Sequence, residues 1–255
     1  MPIEFAGLTH VGMKRNHNED CFLLVPEANL FIVADGMGGH SSGEIASKIA
    51  VDEIAEFFRM TERDEEATWP FKMDRARSYQ ENRMSVAIRL ANARIVEAAT
   101  ADAKLKGMGT TIVAMAFRGN SAYIGHVGDS RVYRLRGNVL EQVTEDHSLL
   151  NDYIKAKKLS AEEIEAFPHK NVIVRALGMK DAVDVDVLKE EPREGDIYIL
   201  CSDGLSGMVP DDQISEIVRS SLDDLDAAAK RLIDAANAAG GTDNVTVVIN
   251  RLSAR

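Results

Sequence analysis

Four aspartates adjoin short apolar segments of the sequence, and three of the four are next to a glycine. They are Asp35, Asp129, Asp203 and Asp243. Aspartate is unfavourable inside a β-strand and is costly to bury without a partner. One aspartate at the end of a strand is ordinary turn chemistry, whereas four in similar places predict that the strand ends meet.

Carboxylates that meet in a region of low dielectric repel each other, and a bound divalent cation removes that repulsion. The available ligands are all oxygen atoms, since the sequence has neither a CxxC pair nor a paired set of histidines. Oxygen ligands favour a hard cation. The sequence therefore predicts a site for Mg²⁺ or Mn²⁺ rather than Zn²⁺.

A second polar segment, RNHNED at residues 15–20, precedes an apolar run. The planar guanidinium of Arg15 matches the oxygens of a phosphate group. Glu19 and Asp20 are placed to hold metal-bound water and to orient Arg15. Read alone, the segment fits a solvated charged loop equally well.

Other short motifs indicate chemistry less clearly. The glycine-rich residues 36–40 lack a following GK[ST], so a nucleotide-binding P-loop is not expected. The DVDV segment at 184–187 is better explained by the outer face of a strand than by a phosphatase nucleophile. Cys201-Ser202 has no GxSxG motif around it. Asp146, His147 and Ser148 are adjacent and cannot form a catalytic relay, so His147 is interpreted as structural.

Short apolar runs bounded by glycine, asparagine or proline predict strands, and spacings of three and four predict helices. The expected strands are 4–10, 21–25, 30–34, 111–117, 122–127, 132–135, 139–143, 183–188, 197–201 and 245–249. The expected helices are about 42–58, with a capping box from Ser41 to Glu44, then 84–98, 148–167, 214–218 and 225–236. Residues 59–81 predict a solvated connection with Trp69 packed on the body, or alternatively a partner-docking loop.

Hairpin turns at 118–120 and 136–138 predict antiparallel strands, and the helices come in pairs. This pattern favours an α+β fold, a four-layer α-β-β-α sandwich of two antiparallel sheets flanked by helices. A doubly wound parallel sheet fits less well, because strands and helices do not alternate strictly. Without repeats or a linker, residues 1–255 are expected to form one domain.

The composition narrows the classes of function. The chain has 41 acidic and 30 basic residues and a formal charge of −11, which disfavours nucleic-acid binding. No apolar run approaches the roughly 20 residues that span a bilayer. The first residues lack the pattern of a signal peptide, and the two cysteines form no CxxC motif. We expect a cytoplasmic protein with reduced thiols that binds neither nucleic acid nor membrane.

The motifs, taken in order, resemble those of bacterial type 2C metal-dependent protein phosphatases, the PPM family, from Phe5 almost to the end of the chain. They are RNHNED at 15–20, ADGMGGH at 34–40, GTT at 109–111, GDSR at 128–131, TEDHS at 144–148, RALG at 175–178, CSDGL at 201–205 and TDNVTVV at 242–248. The resemblance implies the same sandwich fold and hydrolysis of phosphoserine and phosphothreonine in proteins. It also implies two Mn²⁺ or Mg²⁺ ions per active site, and a third ion that binds more weakly.

The resemblance implies roles for the acidic residues. Asp35 corresponds to the carboxylate that bridges two metal ions, and the Gly36 carbonyl to a ligand of one of them. Asp203 and Asp243 correspond to ligands of the other ion. Asp129 corresponds to a ligand of the third ion.

The remaining positions follow from the same resemblance. Glu19 corresponds to the acid that reaches a metal through water. Arg15 corresponds to the residue that binds the substrate phosphate, so Arg15 and Asp35 are the expected catalytic residues. Asp20 and Asn244 are expected to support the ligands from behind. Residues 149–174 correspond to a mobile flap beside the site.

Two positions depart from the family pattern. Many eukaryotic members have a histidine where this chain has Met37, and that histidine protonates the leaving alkoxide. Methionine cannot do so, which leaves water at the third ion or a buffer acid as the donor. Gly207 stands where many members have an aspartate that helps to hold the third ion, so that ion is expected to bind weakly.

These inferences lead to a protein serine/threonine phosphatase in which a water bridging two divalent ions attacks the phosphate. Its implied partners are phosphorylated proteins and a cytoplasmic serine/threonine kinase whose action it reverses, and it is expected to be a monomer. Two alternatives stay open: a non-catalytic phosphoprotein-binding module with the same fold, and a hydrolase of small phosphomonoesters.

Overall fold

The computed structural model describes residues 2–38, 42–64, 68–157, 163–164 and 172–253, and its strands form two antiparallel sheets. One sheet has five strands in the order β1-β11-β10-β7-β8, and the other contains β2-β3-β5-β6-β9, with the short β4 paired to β3. The strands are β1 (Ile3–His10), β2 (Asp20–Val25), β3 (Leu30–Met37), β4 (Gly109–Thr110), β5 (Ile112–Arg118), β6 (Ser121–Val127), β7 (Arg131–Arg136), β8 (Val139–Gln142), β9 (Asp186–Glu190), β10 (Ile197–Cys201) and β11 (Val245–Leu252).

Helices cover the outer face of each sheet. They are α1 (Ser42–Arg63), α2 (Tyr79–Ala101), α3 (Leu149–Lys157), α4 (Asp203–Ser206), α5 (Asp211–Arg219) and α6 (Leu225–Ala238), with single 3₁₀ turns at Pro26–Ala28 and Ala103–Leu105. Helices α1 and α2 pack on the β3 sheet, and α5 and α6 pack on the β10 sheet. The predicted α+β four-layer sandwich is confirmed.

Strand β11 shows why the apolar runs of this sequence form central strands. Val245, Val247 and Ile249 face the helices. Val248 and Leu252 face the opposite sheet, in a third apolar layer between the two sheets. Because both faces are buried, the strand reads as a nearly continuous apolar run.

Several predicted boundaries were wrong. Helix α2 begins at Tyr79 instead of residue 84 and ends at Ala101 instead of residue 98, so the predicted connection 59–81 is shorter at both ends. Strand β11 continues to Leu252 instead of residue 249, and α5 begins at Asp211 instead of residue 214.

Strand β3 continues to Met37 instead of ending at residue 34, because Gly36 and Met37 pair with β4. The strand predicted at 183–188 begins only at Asp186, where pairing with β6 starts. Helix α1 continues to Arg63 rather than residue 58.

Part of the sequence-based interpretation lies outside the described residues. This applies to the predicted capping residue Ser41. It also applies to residues 158–162 and 165–171, which belong to the expected flap and its polar helix. Trp69 lies in the described part, where its ring centroid is 5.6 Å from that of Phe57. It packs on the body of the protein, as predicted.

Among the described helices, none combines the length and apolar character that crossing a membrane requires.

Candidate active site

Carboxylates from distant parts of the chain meet at one edge of the two sheets. Asp20 and Asp35 are opposite each other in the β2–β3 pair. Asp203 follows the end of β10 and Asp243 precedes β11, and these two strands are antiparallel neighbours, so both residues reach the same edge. Asp129 follows β6. Burial, and then the charges of Asp20, Asp203, Asp129 and Asp243, raise the pKa of Asp35 well above its usual range. The predicted meeting of these residues is present in the structure.

The cluster carries negative charge that the surrounding protein neutralises only in part. Burial raises the pKa of Asp20 to about 7, and burial together with Asp203 raises the pKa of Asp129 to about 7. Burial and Asp243 also raise the pKa of Asp203. Two buried carboxyl oxygens, Oδ1 of Asp20 and Oδ1 of Asp129, have no hydrogen-bond partner in the described part of the chain. Oxygen-only ligands, mutual repulsion and unpartnered oxygens fit hard divalent cations.

Asp20 is fixed by hydroxyl groups rather than by a cation. Its Oδ2 accepts hydrogen bonds from the Ser202 hydroxyl at 2.8 Å and from the Thr246 hydroxyl at 2.7 Å. Both donors are fully buried between the sheets. The Ser202 and Thr246 hydroxyls therefore hold Asp20 beside Asp35.

The segment 15–20 is joined to β11 by the buried side chain of Asn244. Its Oδ1 accepts the Glu19 N–H at 2.8 Å, and its Nδ2 donates to the His17 and Val11 carbonyls at 3.0 and 2.9 Å. Asn244 thus places Glu19 next to Asp243. The predicted supporting position of Asn244 agrees with these contacts, which involve backbone groups only.

Arg15 lies at the open side of the cluster. Its Nη2 donates to Oδ2 of Asp243 at 2.7 Å, and the two side chains are 53% and 37% exposed. Arg15 is therefore within reach of solvent and of the carboxylates at once.

Glu19 lies on the same segment as Arg15. Burial raises the pKa of its carboxyl, and a hydrogen bond from the Gly43 N–H lowers that pKa.

Gly36 must be glycine because two backbones approach it closely. A Cβ at this position would lie 2.2 Å from the Gly43 carbonyl oxygen and 2.4 Å from the Glu19 carbonyl oxygen. The Gly36 N–H also donates to the Glu19 carbonyl at 3.1 Å. These contacts bring the start of α1 and residue 19 against the end of β3, next to Asp35.

A cleft of about 310 Å³ opens beside Asp129, Asp203 and Asp243. Arg131 forms part of its wall and binds Asp146 through two nitrogens, Nε at 3.0 Å from Oδ1 and Nη2 at 2.7 Å from Oδ2. The other lining residues are Ser148, Leu150, Gly204, Ser206, Gly207, Met208 and Thr242. Gly207, the position that departs from the family pattern, lies in this wall and offers no carboxylate.

Sequence reasoning missed several supporting residues. Ser202, Thr246, Arg131 and Asp146 stand inside the quoted motifs, but no role was assigned to them. For Thr246 a signal existed, because a polar residue interrupts the buried apolar run of β11. For the Arg131–Asp146 ion pair the sequence offers no signal beyond the two charges, since the pairing depends on tertiary structure.

Two antiparallel sheets between helical layers, with a cluster of aspartates at one edge, define the layered fold of metal-dependent phosphatases. The sequence profile described as Protein phosphatase 2C matches residues 7–240. The chain therefore belongs to the protein phosphatase 2C family, and the predicted resemblance is confirmed.

Similar proteins and structures cover nearly the whole chain. The serine/threonine phosphatase stp of Listeria monocytogenes is 38% identical over 248 residues, which are 94% of this chain and 92% of that protein. The protein phosphatase PhpP of Streptococcus pneumoniae is 36% identical over 97% of this chain and 96% of its own. The catalytic domain of the phosphatase PstP, solved in complex with two manganese ions, superposes with a TM-score of 0.81 at 33% identity, covering 99% of both chains.

Proposed function

We propose that this protein hydrolyses phosphoserine and phosphothreonine in protein substrates with two divalent cations, Mn²⁺ or Mg²⁺, bound at the aspartate cluster. The observation that carries the proposal is the meeting of Asp35, Asp203 and Asp243 at one sheet edge, next to the exposed Arg15. The similar proteins named serine/threonine phosphatases, and the manganese-bound structure of PstP, support it.

The proposed ligands are those that the resemblance to the family implies. Asp35 and the Gly36 carbonyl would hold one ion, and Asp35, Asp203 and Asp243 the other. Glu19 would act through a water molecule. Asp129 would hold a third, weaker ion, because Gly207 offers no second carboxylate on that side of the cleft.

When bound, the two ions would lower the pKa of a water that bridges them for attack on phosphorus and would neutralise the phosphoryl oxygens. Arg15 would bind the phosphate, since its guanidinium is 53% exposed and presents further N–H donors besides the one that binds Asp243. The P–O bond to the serine or threonine breaks, and the alkoxide takes a proton from water. Met37 has no exchangeable proton to supply.

The open side of the site favours a protein substrate over a small metabolite. Arg15 and Asp243 are both partly exposed, so a phosphorylated residue on a protein surface can reach them. The cleft lined by Leu150 and Met208 lies beside the carboxylates and can hold a neighbouring side chain of the substrate. An enclosed pocket would have favoured a small phosphomonoester.

A non-catalytic phosphoprotein-binding module is the second candidate, and the intact set of aspartates disfavours it. Such a module could lose Asp35 or Asp203 and keep its fold. We further propose that the substrates are those of a serine/threonine kinase in the cytoplasm, and that residues 1–255 act as one monomeric domain.

The test compares the full chain with Asp35→Ala on a phosphothreonine peptide in Mn²⁺, with and without EDTA. We expect phosphate release by the parent protein, loss in EDTA, and a decrease of at least about a thousandfold in the variant. Asp52→Ala, an exposed aspartate on α1, serves as the matched control and should keep full activity. An Asp35→Ala protein with the parent rate would refute the proposal.

A further inference from the structure

His147 holds the backbone of the turn that carries Asp129. Its N–H donates to the Gly128 carbonyl at 2.8 Å, and its ring Nδ1 accepts the Gly128 N–H at 3.0 Å. Gly128 has a φ of +112°, and a Cβ there would lie 2.6 Å from the Thr111 side chain. Position 128 therefore holds glycine, which has no side chain to anchor it. The two hydrogen bonds between His147 and Gly128 instead fix the peptide groups that precede Asp129.

The same histidine is connected to the chain that returns from the expected flap. Its carbonyl accepts the Val174 N–H at 3.0 Å, and its Nε2 lies 3.4 Å from Oδ2 of Asp186. The ring is 7% exposed and stacks on His126 at a centroid distance of 4.4 Å. His147 therefore joins the Asp129 turn to residues on the far side of segment 149–174.

The hydrogen bonds define where the ring proton lies. Since Nδ1 accepts the Gly128 N–H, it carries the lone pair, and the proton of the neutral ring is on Nε2, next to Asp186. Burial, together with His126 and Arg175, lowers the pKa of His147 to about 4, so the ring is neutral at pH 7.

The cluster around His147 contains residue types that can bind a metal ion, but its ring proton and a neighbouring positive charge oppose cation binding. Atoms of His126, His147 and Asp186 that could bind a metal lie within 4.8 Å of one another. However, Nε2 of His147 carries a proton, and the Arg175 Nη1 that lies 3.1 Å from it donates instead to Asp186 Oδ1 at 2.8 Å and to the Asp184 carbonyl at 3.2 Å. Asp186, which Arg175 holds in place, faces the protonated Nε2 and orients the ring of His147.

We propose that His147 is a positioning residue for the reaction, which sets the Asp129 carboxylate by holding Gly128 through ring Nδ1. The inference rests on the proposed function, because Asp129 matters there as the ligand of the third ion. His147 itself contacts neither substrate nor the carboxylates of the cluster.

Two substitutions test the roles of the two ring nitrogens of His147 separately. His147→Asn keeps an acceptor, Oδ1, near the position of Nδ1, whereas His147→Gln places its amide near the position of Nε2 and leaves no polar atom at the position of Nδ1. Asn82→Leu is the matched control, because the buried Asn82 side chain holds another backbone segment, from Asp74 to Ser78. Mn²⁺ binding by calorimetry, kcat and KM on the phosphothreonine peptide, and thermal unfolding are measured on all four full-length proteins.

We expect His147→Gln to weaken the weakest Mn²⁺ site about tenfold or more, and His147→Asn to stay within about threefold of the parent. Asn82→Leu should lower the unfolding temperature without changing Mn²⁺ binding. Parent-like Mn²⁺ binding in a folded His147→Gln protein would overturn the inference. Equal losses in the Asn and Gln variants would overturn it too.

A measurement on the metal-free parent protein covers the case in which the variants fail to fold. Nitrogen-15 NMR of His147 should show a protonated Nε2 and an unprotonated Nδ1, with the Gly128 amide protected from exchange. A proton on Nδ1 would contradict the inference. A parent protein that neither binds Mn²⁺ nor releases phosphate would instead overturn the proposed function, and with it the role of Asp129.

Discussion

The two ends of strand β10 hold aspartates in opposite electrostatic surroundings, one buried and one partly buried. Asp196, just before the strand, is 1% exposed and accepts hydrogen bonds from Arg136 on both carboxyl oxygens, at 2.8 and 2.6 Å. Asp203, just after the strand, lies among other carboxylates, and burial and Asp243 raise its pKa. At one end the protein supplies the positive charge itself. At the other end it leaves negative charge to be neutralised by something that binds.

This difference separates aspartates that stabilise the fold from those that serve a site. A buried charge with a partner of opposite charge is tolerated, whereas a charge held away from water among like charges is costly. The protein therefore gives up stability at the Asp203 end, and we interpret that loss as the consequence of a binding site for cations. Substitutions at the two ends should have opposite effects.

The largest effect is expected for Asp203→Asn. Activity on the phosphothreonine peptide should fall at least about a thousandfold, because a proposed metal ligand and its charge are lost. The free energy of unfolding in EDTA should be unchanged or higher, since one repelling carboxylate is removed. Asp196→Asn, at the other end of β10, is the control and should keep its activity per folded molecule. If Asp203→Asn stayed active, the contrast between the two ends would have no functional meaning.

Arg136→Met should have the next largest effect, on stability. It leaves the Asp196 carboxylate buried with the Arg193 N–H as its remaining donor, and the free energy of unfolding should drop by about 3 kcal/mol. Activity per folded molecule should not change. Urea unfolding measures the loss, with Lys48→Met as a control in the exposed pair with Asp52, where the expected change is below about 0.5 kcal/mol. A loss of equal size in both variants would show that Asp196 depends on Arg136 no more than the exposed Asp52 depends on Lys48.

Addition of Mn²⁺ should have a smaller effect on the free energy of unfolding. The effect should depend on the carboxylate of Asp203. At a free Mn²⁺ concentration of about 100 times the dissociation constant, one site stabilises the native state by about 2.7 kcal/mol. The parent protein and Arg136→Met should both gain this stability, whereas Asp203→Asn should gain much less. Equal gains in all three proteins, measured by thermal unfolding with and without EDTA, would mean that Mn²⁺ binds elsewhere.

Much of this arrangement was predictable from local sequence. Apolar runs, hairpin turns and paired helical segments were enough for the four-layer sandwich, because each of these patterns is local. The position of Asp35, Asp203 and Asp243 beside apolar segments was enough to predict that they meet.

The parts that were not predicted depend on tertiary contacts. Strand β3 continues past Asp35 because Gly36 and Met37 pair with β4, which has two residues and no periodicity to detect. Asn244 was expected behind the ligands, but its hydrogen bonds to Glu19, His17 and Val11 join segments more than two hundred residues apart. His147 was interpreted as structural, and only the geometry shows that it holds the Gly128 peptide groups.

Anomalous X-ray diffraction from crystals of the full chain grown with Mn²⁺ tests the central claim most directly. We predict two strong anomalous peaks beside Asp35, one next to the Gly36 carbonyl and the other between Asp203 and Asp243. A crystal with saturating Mn²⁺ and no peak at these residues would contradict the account, whether or not other acidic residues on the surface had bound the ion.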